Sequence, residues 1–273
     1  MVLLYRHVIT KLVHDWASDD NYSHGFLIVP IAGYLVWERR HALRQLALRP
    51  TNWGLAILAA GLALLVAGTL GAELFLTRVS ILAVLAGAVL FAAGWPALRV
   101  LLFPLGFLLL MIPIPAIIFN EIAFPLQLLA SRFGTAVMSL GGVPVLREGN
   151  VLILANTTLE VAEACSGIRS LVTLLTLGVL VAYFSDRRTW MRTTVSLATI
   201  PIAIFANGMR VAGTGVASYY YGPEAAVGVL HTFSGWLVFV SALALLFLAQ
   251  RALLKIFGTA EHAPTPLASK RAA

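Results

Sequence analysis

The sequence is poor in charge: Asp, Glu, Lys and Arg make up 11% of its 273 residues, whereas hydrophobic residues make up 60%. Soluble domains contain about 25% charged residues, so the composition excludes an ordinary soluble fold. Several apolar stretches approach the roughly 20 residues that a helix needs to cross a bilayer. Backbone in lipid must satisfy its own hydrogen bonds, which favours helices. We therefore predict an all-α polytopic membrane protein embedded in a lipid bilayer.

Cysteine is also scarce. The single residue, Cys165, excludes an internal disulfide, and the sequence has no Cys/His cluster of the kind that holds structural zinc. We therefore expect neither a metal nor a cofactor. The amino-terminal stretch MVLLYRHVITKLVHDW has too short an apolar core for a signal peptide and no small-residue cleavage site. Its pattern indicates an amphipathic surface helix or the remnant of a longer span.

The apolar runs predict about seven or eight transmembrane helices. Seven runs have the composition of spans, although the first is short, and an eighth, amphipathic candidate does not fully cross or lies along the outer surface. The seven are 25–37, 53–71, 74–93, 98–118, 168–184, 193–211 and 230–250, and the amphipathic candidate is 120–140.

Residues 143–162 have a different pattern, in which β-branched and polar residues alternate around the turn sequences REGN and ANTT. This pattern predicts two or three short strands. Open sheet edges are not tolerated in lipid, so we expect a small hairpin cap on one membrane face. We predict one membrane domain, 1–258, followed by a disordered cytoplasmic tail, 259–273.

The basic residues show which face this is. They cluster in 38–50, in 185–192 and in the carboxy-terminal tail, and cytoplasmic loops carry such an excess of Lys and Arg. The hairpin then lies on the outer side, which in a bacterial inner membrane is the periplasm. Because topology accounts for the net charge of +7, we predict no nucleic-acid partner.

In this orientation Cys165, Arg169, Arg210 and His231 lie within about one helical turn of the outer ends of three spans. Cys165 is at the start of the predicted helix 168–184, where the helix dipole and a nearby cation lower a thiol pKa. Ser166 is a plausible N-cap, and Gly167 permits a tight turn or a close backbone approach. Arg169 shares the face of the cysteine if the helix already includes the thiol. The alternative is that the cysteine is a small buried hydrophobe.

Each of the other candidates also has a simpler interpretation. Arg210, with Asn207 in the same turn, either snorkels to the interface or stabilises an oxyanion or a thiolate. His231 is either an interfacial residue or the base that a cysteine nucleophile needs. His24 is a weaker candidate base, and its aromatic neighbours favour positioning at the interface. The predicted position of these residues at one depth in the membrane favours nucleophilic cysteine chemistry at the outer membrane surface.

Three motifs in a fixed order carry a resemblance: EACSGIRSL, ANGMRV and GVLHTFSGW. Together with DDNYSHGFLIVPIAGYLVWERR and GVPVLREGNVLIL, they make the chain over roughly 15–255 resemble the exosortase family of bacterial membrane transpeptidases.

The resemblance implies that Cys165 is the nucleophile, Arg210 the stabiliser of the transition state or thiolate, and His231 the acid and base. It implies substrates that are membrane-anchored exported proteins. Their carboxy-terminal sorting signal has a Pro-Glu-Pro-type motif, a transmembrane helix and a basic end. Cleavage at the outer face of the inner membrane then gives a thioester on Cys165, whose acyl group passes to an acceptor.

Other functions are compatible with the same residues. A hydrolase would use this site with water as the acceptor, and a structural membrane protein would need no chemistry at all. A transporter of anionic solutes would need polar residues near the centres of its spans. The predicted spans are nearly bare of such residues at their centres, which argues against transport.

Overall fold

The computed structural model describes residues 2–161, 167–186, 188–226 and 228–258. Within these residues the chain is mostly α-helical and has one small three-stranded sheet. It divides into two compact units, 1–120 and 121–273. The predicted helical membrane-protein architecture is confirmed in this coarse form.

In the first unit, an amphipathic helix packs against a pair of apolar ones. Tyr5, Leu12 and Trp16 follow one face of α1 and are buried, and Tyr5 packs with residues of α4 and α5. The helices are α1 (Val2–Ser18), α2 (Gly25–Glu38), α3 (Arg40–Gln45), α4 (Trp53–Leu70), α5 (Leu74–Ala93), α6 (Trp95–Phe107) and the start of α7 (Ala116–Leu140).

The close packing of α4 on α5 depends on glycines seven residues apart. Gly54, Gly61 and Gly68 are buried on one face of α4. A Cβ on Gly54 would lie 2.2 Å from the backbone nitrogen of Phe91, and one on Gly61 would lie 2.7 Å from Cγ2 of Val84. Small residues at such intervals let helix backbones approach closely in membranes.

The second unit contains the rest of α7, the sheet and the last helices. The sheet is antiparallel in the order β1-β2-β3, with Leu146 opposite Ile153 and Leu152 opposite Leu159. The predicted short strands are therefore confirmed. The elements are β1 (Val145–Glu148), β2 (Val151–Leu154), β3 (Thr158–Glu160), α8 (Ile168–Ser185), α9 (Thr189–Tyr221), a 3-10 turn (Pro223–Ala226) and α10 (Gly228–Phe257).

The sheet is anchored to the helices of its unit. Leu152 and Leu154 are buried and form an apolar cluster with residues of α7 and with Val211 of α9. Beyond this cluster, Asn156 Nδ2 donates hydrogen bonds to the carbonyl oxygens of Ser218, at 3.1 Å, and Tyr219, at 2.9 Å. The hairpin is thus packed along the part of α9 that follows Arg210.

Five segments in the described part of the chain are long and apolar enough to span a membrane: α4, α5, α8, α9 and 233–257 within α10. The count is six if the bent pair formed by α6 with its 3-10 extension and α7 is one span. The helix at the predicted span 25–37 has 14 residues and is shorter than a usual span. The count of seven or eight stays a prediction.

The predicted span 98–118 is wrong as a single helix. α6 ends at Phe107 and continues as a 3-10 turn, Leu108–Met111, before an irregular stretch leads to α7. Pro113 and Pro115 in this stretch have no backbone N–H and do not fit a helix interior. The average hydropathy of residues 98–118 is high throughout and therefore does not reveal this break.

The carbonyl groups freed by the break receive hydrogen bonds from one short segment, 16–24. Its indole, phenol and imidazole groups each reach a different carbonyl oxygen. The bonds run from Trp16 Nε1 to Met111 (2.9 Å), from Tyr22 OH to Ile114 (3.3 Å) and from His24 Nε2 to Leu110 (3.2 Å). The segment therefore stabilises non-helical backbone within an apolar unit, where unsatisfied carbonyls would be costly.

Candidate functional site

The predicted site residues of α8, α9 and α10 all belong to the second unit. Cys165 and Ser166 lie outside the described residues, and residue 231 is described by its backbone alone, in the first turn of α10. Gly167, Arg169, Asn207 and Arg210 lie within the described residues. The geometry of the site is therefore built from these four residues and their neighbours.

Gly167 forms the entry to α8. Its backbone is left-handed, with φ 80° and ψ 0°, and it is the N-cap of a helix that begins at Ile168. A Cβ at this position would lie 2.6 Å from Cγ of Asn207. Both the backbone conformation and the contact with Asn207 therefore require glycine.

This entry differs from two sequence-based expectations. The N-cap of α8 is Gly167 and not Ser166, and it makes no side-chain capping hydrogen bond. α8 starts at Ile168, after residue 165, so the condition under which Arg169 was expected to share a helix face with the thiol is not met by α8. The physical reason is the left-handed glycine, because a right-handed helix does not continue through that conformation.

Asn207 and Arg210 lie three residues apart on α9, so that they are neighbours on the helix surface. Asn207 is buried, with 4% of its surface exposed, and Arg210 is half-buried. Between them, Gly208 brings α7 close: a Cβ there would lie 2.4 Å from Cδ1 of Phe133.

The guanidinium of Arg210 lies beside α10. A Cβ on Gly235 would be 3.3 Å from Nη2 of Arg210. Position 231 precedes Gly235 by four residues in the same helix, a rise of about 6 Å. At the other end of the site, covalent geometry keeps the Cα of residue 165 within about 7 Å of that of Gly167. On adjacent turns of α9, Asn207 thus contacts Gly167, which is two residues from Cys165. Arg210 contacts Gly235, which is one turn from position 231.

Arg169 occupies the first turn of α8 and is exposed. Its carbonyl oxygen accepts a hydrogen bond from Thr173 Oγ1 at 2.9 Å. A cation in the first turn opposes the helix dipole, which favours negative charge at that end. A positive charge at this end of a helix is by itself unfavourable for the helix.

A narrow pocket opens beside Gly167, between α7, α8 and α9. Its cavity volume is about 10 Å³, roughly the space of one water molecule. Asn207 contributes the polar group of the lining, and the other side chains are aliphatic. The lining residues are Leu126, Ala130, Gly167, Leu171, Ala203, Ile204 and Asn207.

The model of the transmembrane exosortase family matches residues 16–248. The chain belongs to this family. A search of curated proteins and a search of solved structures found no match. The exosortase match covers most of the chain, including both units and all three sequence motifs, so the resemblance noted in the sequence is confirmed.

His24 is the other predicted site residue of this exosortase chain, and it belongs to the first unit. It is buried, and its Nε2 carries a proton, because the Leu110 carbonyl to which it bonds can only accept. Burial lowers the pKa of His24 below its ordinary value of 6.5. Its described contacts are those of a residue that fixes the broken segment after α6.

Sequence reasoning missed an ion pair in the first unit of the exosortase chain. Arg78, near the start of α5, is buried and forms a salt bridge with Asp15 of α1. Tyr5 and Ser80 join the same two helices through a 3.0 Å hydrogen bond between their hydroxyl groups. An arginine inside the apolar run LFLTRVS was the available signal, since charges in such segments have partners.

Among the described residues, no group of three or more His, Cys, Asp or Glu residues is arranged to hold a metal ion.

Proposed function

We propose that the chain is a membrane-embedded cysteine transpeptidase that cleaves the carboxy-terminal sorting signals of exported proteins. Cys165 is the nucleophile, Arg210 stabilises negative charge, and His231 is the acid and base. The observation that carries the proposal is the position of Arg210. Its guanidinium contacts Gly235, one turn from position 231, and its neighbour Asn207 contacts Gly167, two residues from Cys165.

Helix lengths support a common membrane depth for these residues. At 1.5 Å per residue, Arg210 lies about 32 Å along α9 from Thr189, and Gly235 lies about 33 Å along α10 from Phe257. α8 measures about 26 Å from Ser185 to Ile168. These lengths are close to the hydrocarbon thickness of about 30 Å. If the basic ends of the three helices face the cytoplasm, the site lies at the outer boundary of the inner membrane.

The reaction takes place in two steps. The Cys165 thiolate attacks the carbonyl carbon of the scissile peptide bond, and the Arg210 guanidinium stabilises the oxyanion that forms. The carbon–nitrogen bond then breaks, and His231 gives a proton to the leaving amine, which leaves a thioester. An acceptor amine or hydroxyl loses its proton to His231 and attacks the thioester, and the thiolate leaves.

Membrane anchoring helps to bring the substrate to this site. The family implies a substrate with a Pro-Glu-Pro-type motif, a transmembrane helix and a basic end. Such a helix holds the adjoining peptide at a fixed depth, which is also the depth proposed for Cys165. Confinement of both reactants to one plane removes part of the entropic barrier to their encounter.

The sheet at 145–160 has a proposed role in excluding water. It packs along α9 directly beyond Arg210, with Leu152 and Leu154 buried. A cover at this position would slow hydrolysis of the thioester and favour transfer to the acceptor. Deletion of 145–160 is expected to raise the ratio of hydrolysis to transfer, and an unchanged ratio would remove the sheet from the mechanism.

The proposal is tested with the full chain in nanodiscs and a reporter protein carrying such a sorting signal. Cleavage is expected to stop in Cys165→Ala, to fall strongly in Arg210→Leu and to be partly retained in Arg210→Lys, which keeps the charge. His231→Ala is expected to lose cleavage activity and to regain part of it when imidazole is added. Continued cleavage by Cys165→Ala would refute the cysteine mechanism. Hydrolysis without transfer to any amine or hydroxyl would make the protein a hydrolase.

A further inference from the structure

On the basis of the proposed function, we infer that the pocket beside Gly167 binds the side chain of the substrate residue whose carbonyl carbon Cys165 attacks. The pocket selects a small, uncharged side chain at that position. Asn207 is a positioning residue that binds the peptide backbone of the same residue.

The pocket lies close to the proposed nucleophile. Gly167 is part of the pocket lining and lies two residues after Cys165, so the nucleophile is within about 7 Å of the pocket edge, measured between Cα atoms. The side chain of the attacked residue begins at Cβ, two bonds from the carbonyl carbon. The pocket is therefore within reach of that residue and too near the thiol to serve a distant part of the substrate.

The lining of the pocket carries no charge. None of the residues that line the pocket is ionisable, and all but Asn207 and Gly167 have aliphatic side chains. A charged substrate side chain would lose its hydration there without gaining a partner of opposite charge, which is strongly unfavourable. The lining therefore accepts apolar groups and rejects Asp, Glu, Lys and Arg.

The pocket is small. Ala130 of α7 and Ala203 of α9 line the pocket with methyl groups where a larger side chain would fill it, and both alanines are buried. The cavity volume of about 10 Å³ leaves room for about one water-sized group, so the pocket suits a side chain as short as a methyl group. Leu171 forms part of the wall and is half-buried, so truncation of its side chain would widen the pocket.

Asn207 supplies the directional contact. It is 4% exposed, belongs to the lining and holds its position against Gly167. A carboxamide both donates and accepts hydrogen bonds, which matches the N–H and C=O groups of a peptide. A contact of this kind would fix the register of the substrate, so that one peptide bond faces Cys165.

The experiment measures specificity in the full chain. Reporter substrates carry Gly, Ala, Leu, Asp or Lys at each position between the sorting motif and the transmembrane helix, and the cleavage site is identified by mass spectrometry. The values of kcat/KM are compared for wild type, Leu171→Ala, Ala203→Val and the control Leu177→Ala, a half-buried leucine of α8 outside the pocket.

The two pocket variants are expected to change the preferred size of the side chain at the cleaved residue in opposite directions. Leu171→Ala raises kcat/KM for Leu relative to Ala at the cleaved residue by about tenfold, and Ala203→Val lowers kcat/KM for Ala relative to Gly by about tenfold. Leu177→Ala leaves both ratios unchanged. Asn207→Ala broadens the cleavage site to neighbouring peptide bonds, and Asn207→Gln partly restores a single site, which a merely structural role would not produce.

Two results would overturn the inference: equal acceptance of Asp, Lys and Ala at the cleaved residue, or pocket variants that change all substrates by the same factor. Either result, with cleavage still dependent on Cys165, would refute the pocket assignment and leave the cysteine mechanism intact. Cleavage by Cys165→Ala would instead refute the proposed function.

Discussion

Arg210 and Gly235 meet at the boundary between α9 and α10, where a Cβ on the glycine would lie 3.3 Å from Nη2 of the arginine. The contact is tight but involves the flexible end of a side chain. A methyl group at position 235 would therefore displace the guanidinium by a few tenths of an ångström without forcing the helix backbones apart.

This contact predicts that activity and stability can be separated in Gly235→Ala. Alanine in a helix interior is favoured over glycine by roughly 0.5–1 kcal/mol, so thermal stability is expected to be unchanged or raised. Activity is expected to fall, because the guanidinium moves away from its position in the site. Thermal unfolding in detergent and kcat for reporter cleavage measure the two effects.

The matched control is Gly213→Ala on α9. Gly213 is exposed, and a Cβ there would have nothing within 4 Å. This variant is expected to keep wild-type kcat. If Gly235→Ala cleaves the reporter as fast as Gly213→Ala does, the position of Arg210 against α10 has no part in catalysis.

The Asp15–Arg78 ion pair predicts an asymmetric response to substitution. Asp15→Asn leaves a buried guanidinium without its counter-charge, a change that typically costs about 3–5 kcal/mol for a fully buried pair and less here because Asp15 is partly exposed. Arg78→Leu removes the buried charge and leaves the more exposed carboxylate, so its effect is smaller. Thermal unfolding of both variants measures this difference, and equal losses would contradict it.

Because of His24, we expect the folded wild-type protein to be less stable under mildly acidic conditions. Burial lowers its pKa below 6.5, so the folded state favours the neutral imidazole. Its contribution to stability is complete above pH 6.5 and is lost as the pH falls through that value towards the lower pKa of the folded state. The melting temperature of wild type is expected to fall between pH 7.5 and 5.5.

The comparison for this prediction is His24→Gln. Glutamine cannot titrate but can still donate a hydrogen bond to the Leu110 carbonyl. Its melting temperature is expected to fall less over the same range. A parallel fall in both proteins would assign the acid sensitivity to other groups.

The sequence predicted features that depend on local patterns. Hydropathy located α4, α5, α8 and most of α10, and the alternation in 143–162 located the strands, because each pattern reflects one element and its surroundings. The break at Pro113 and Pro115 was missed, since averaged hydropathy does not respond to two missing backbone donors. The two prolines were present in the sequence and were the signal for it.

Contacts between residues far apart in the chain could not be predicted from the sequence. Asp15 and Arg78 are 63 residues apart, and no local pattern pairs them. A common membrane depth for Arg210 and His231 was predicted from charge bias and span length and stays a prediction. The contact of Arg210 with Gly235 depends on how α9 packs on α10. The close approach of Gly167 to Asn207 likewise depends on the packing of α8 on α9, which a single sequence does not specify.

The most direct test of the account is mass spectrometry of the full chain during turnover of the anchored reporter. The account predicts an adduct with the mass of the acyl part of the substrate, on the peptide that contains Cys165. Neutral hydroxylamine removes this adduct, as expected for a thioester. Cleavage of the reporter with no adduct on that peptide, together with undiminished cleavage by Cys165→Ala, would contradict it.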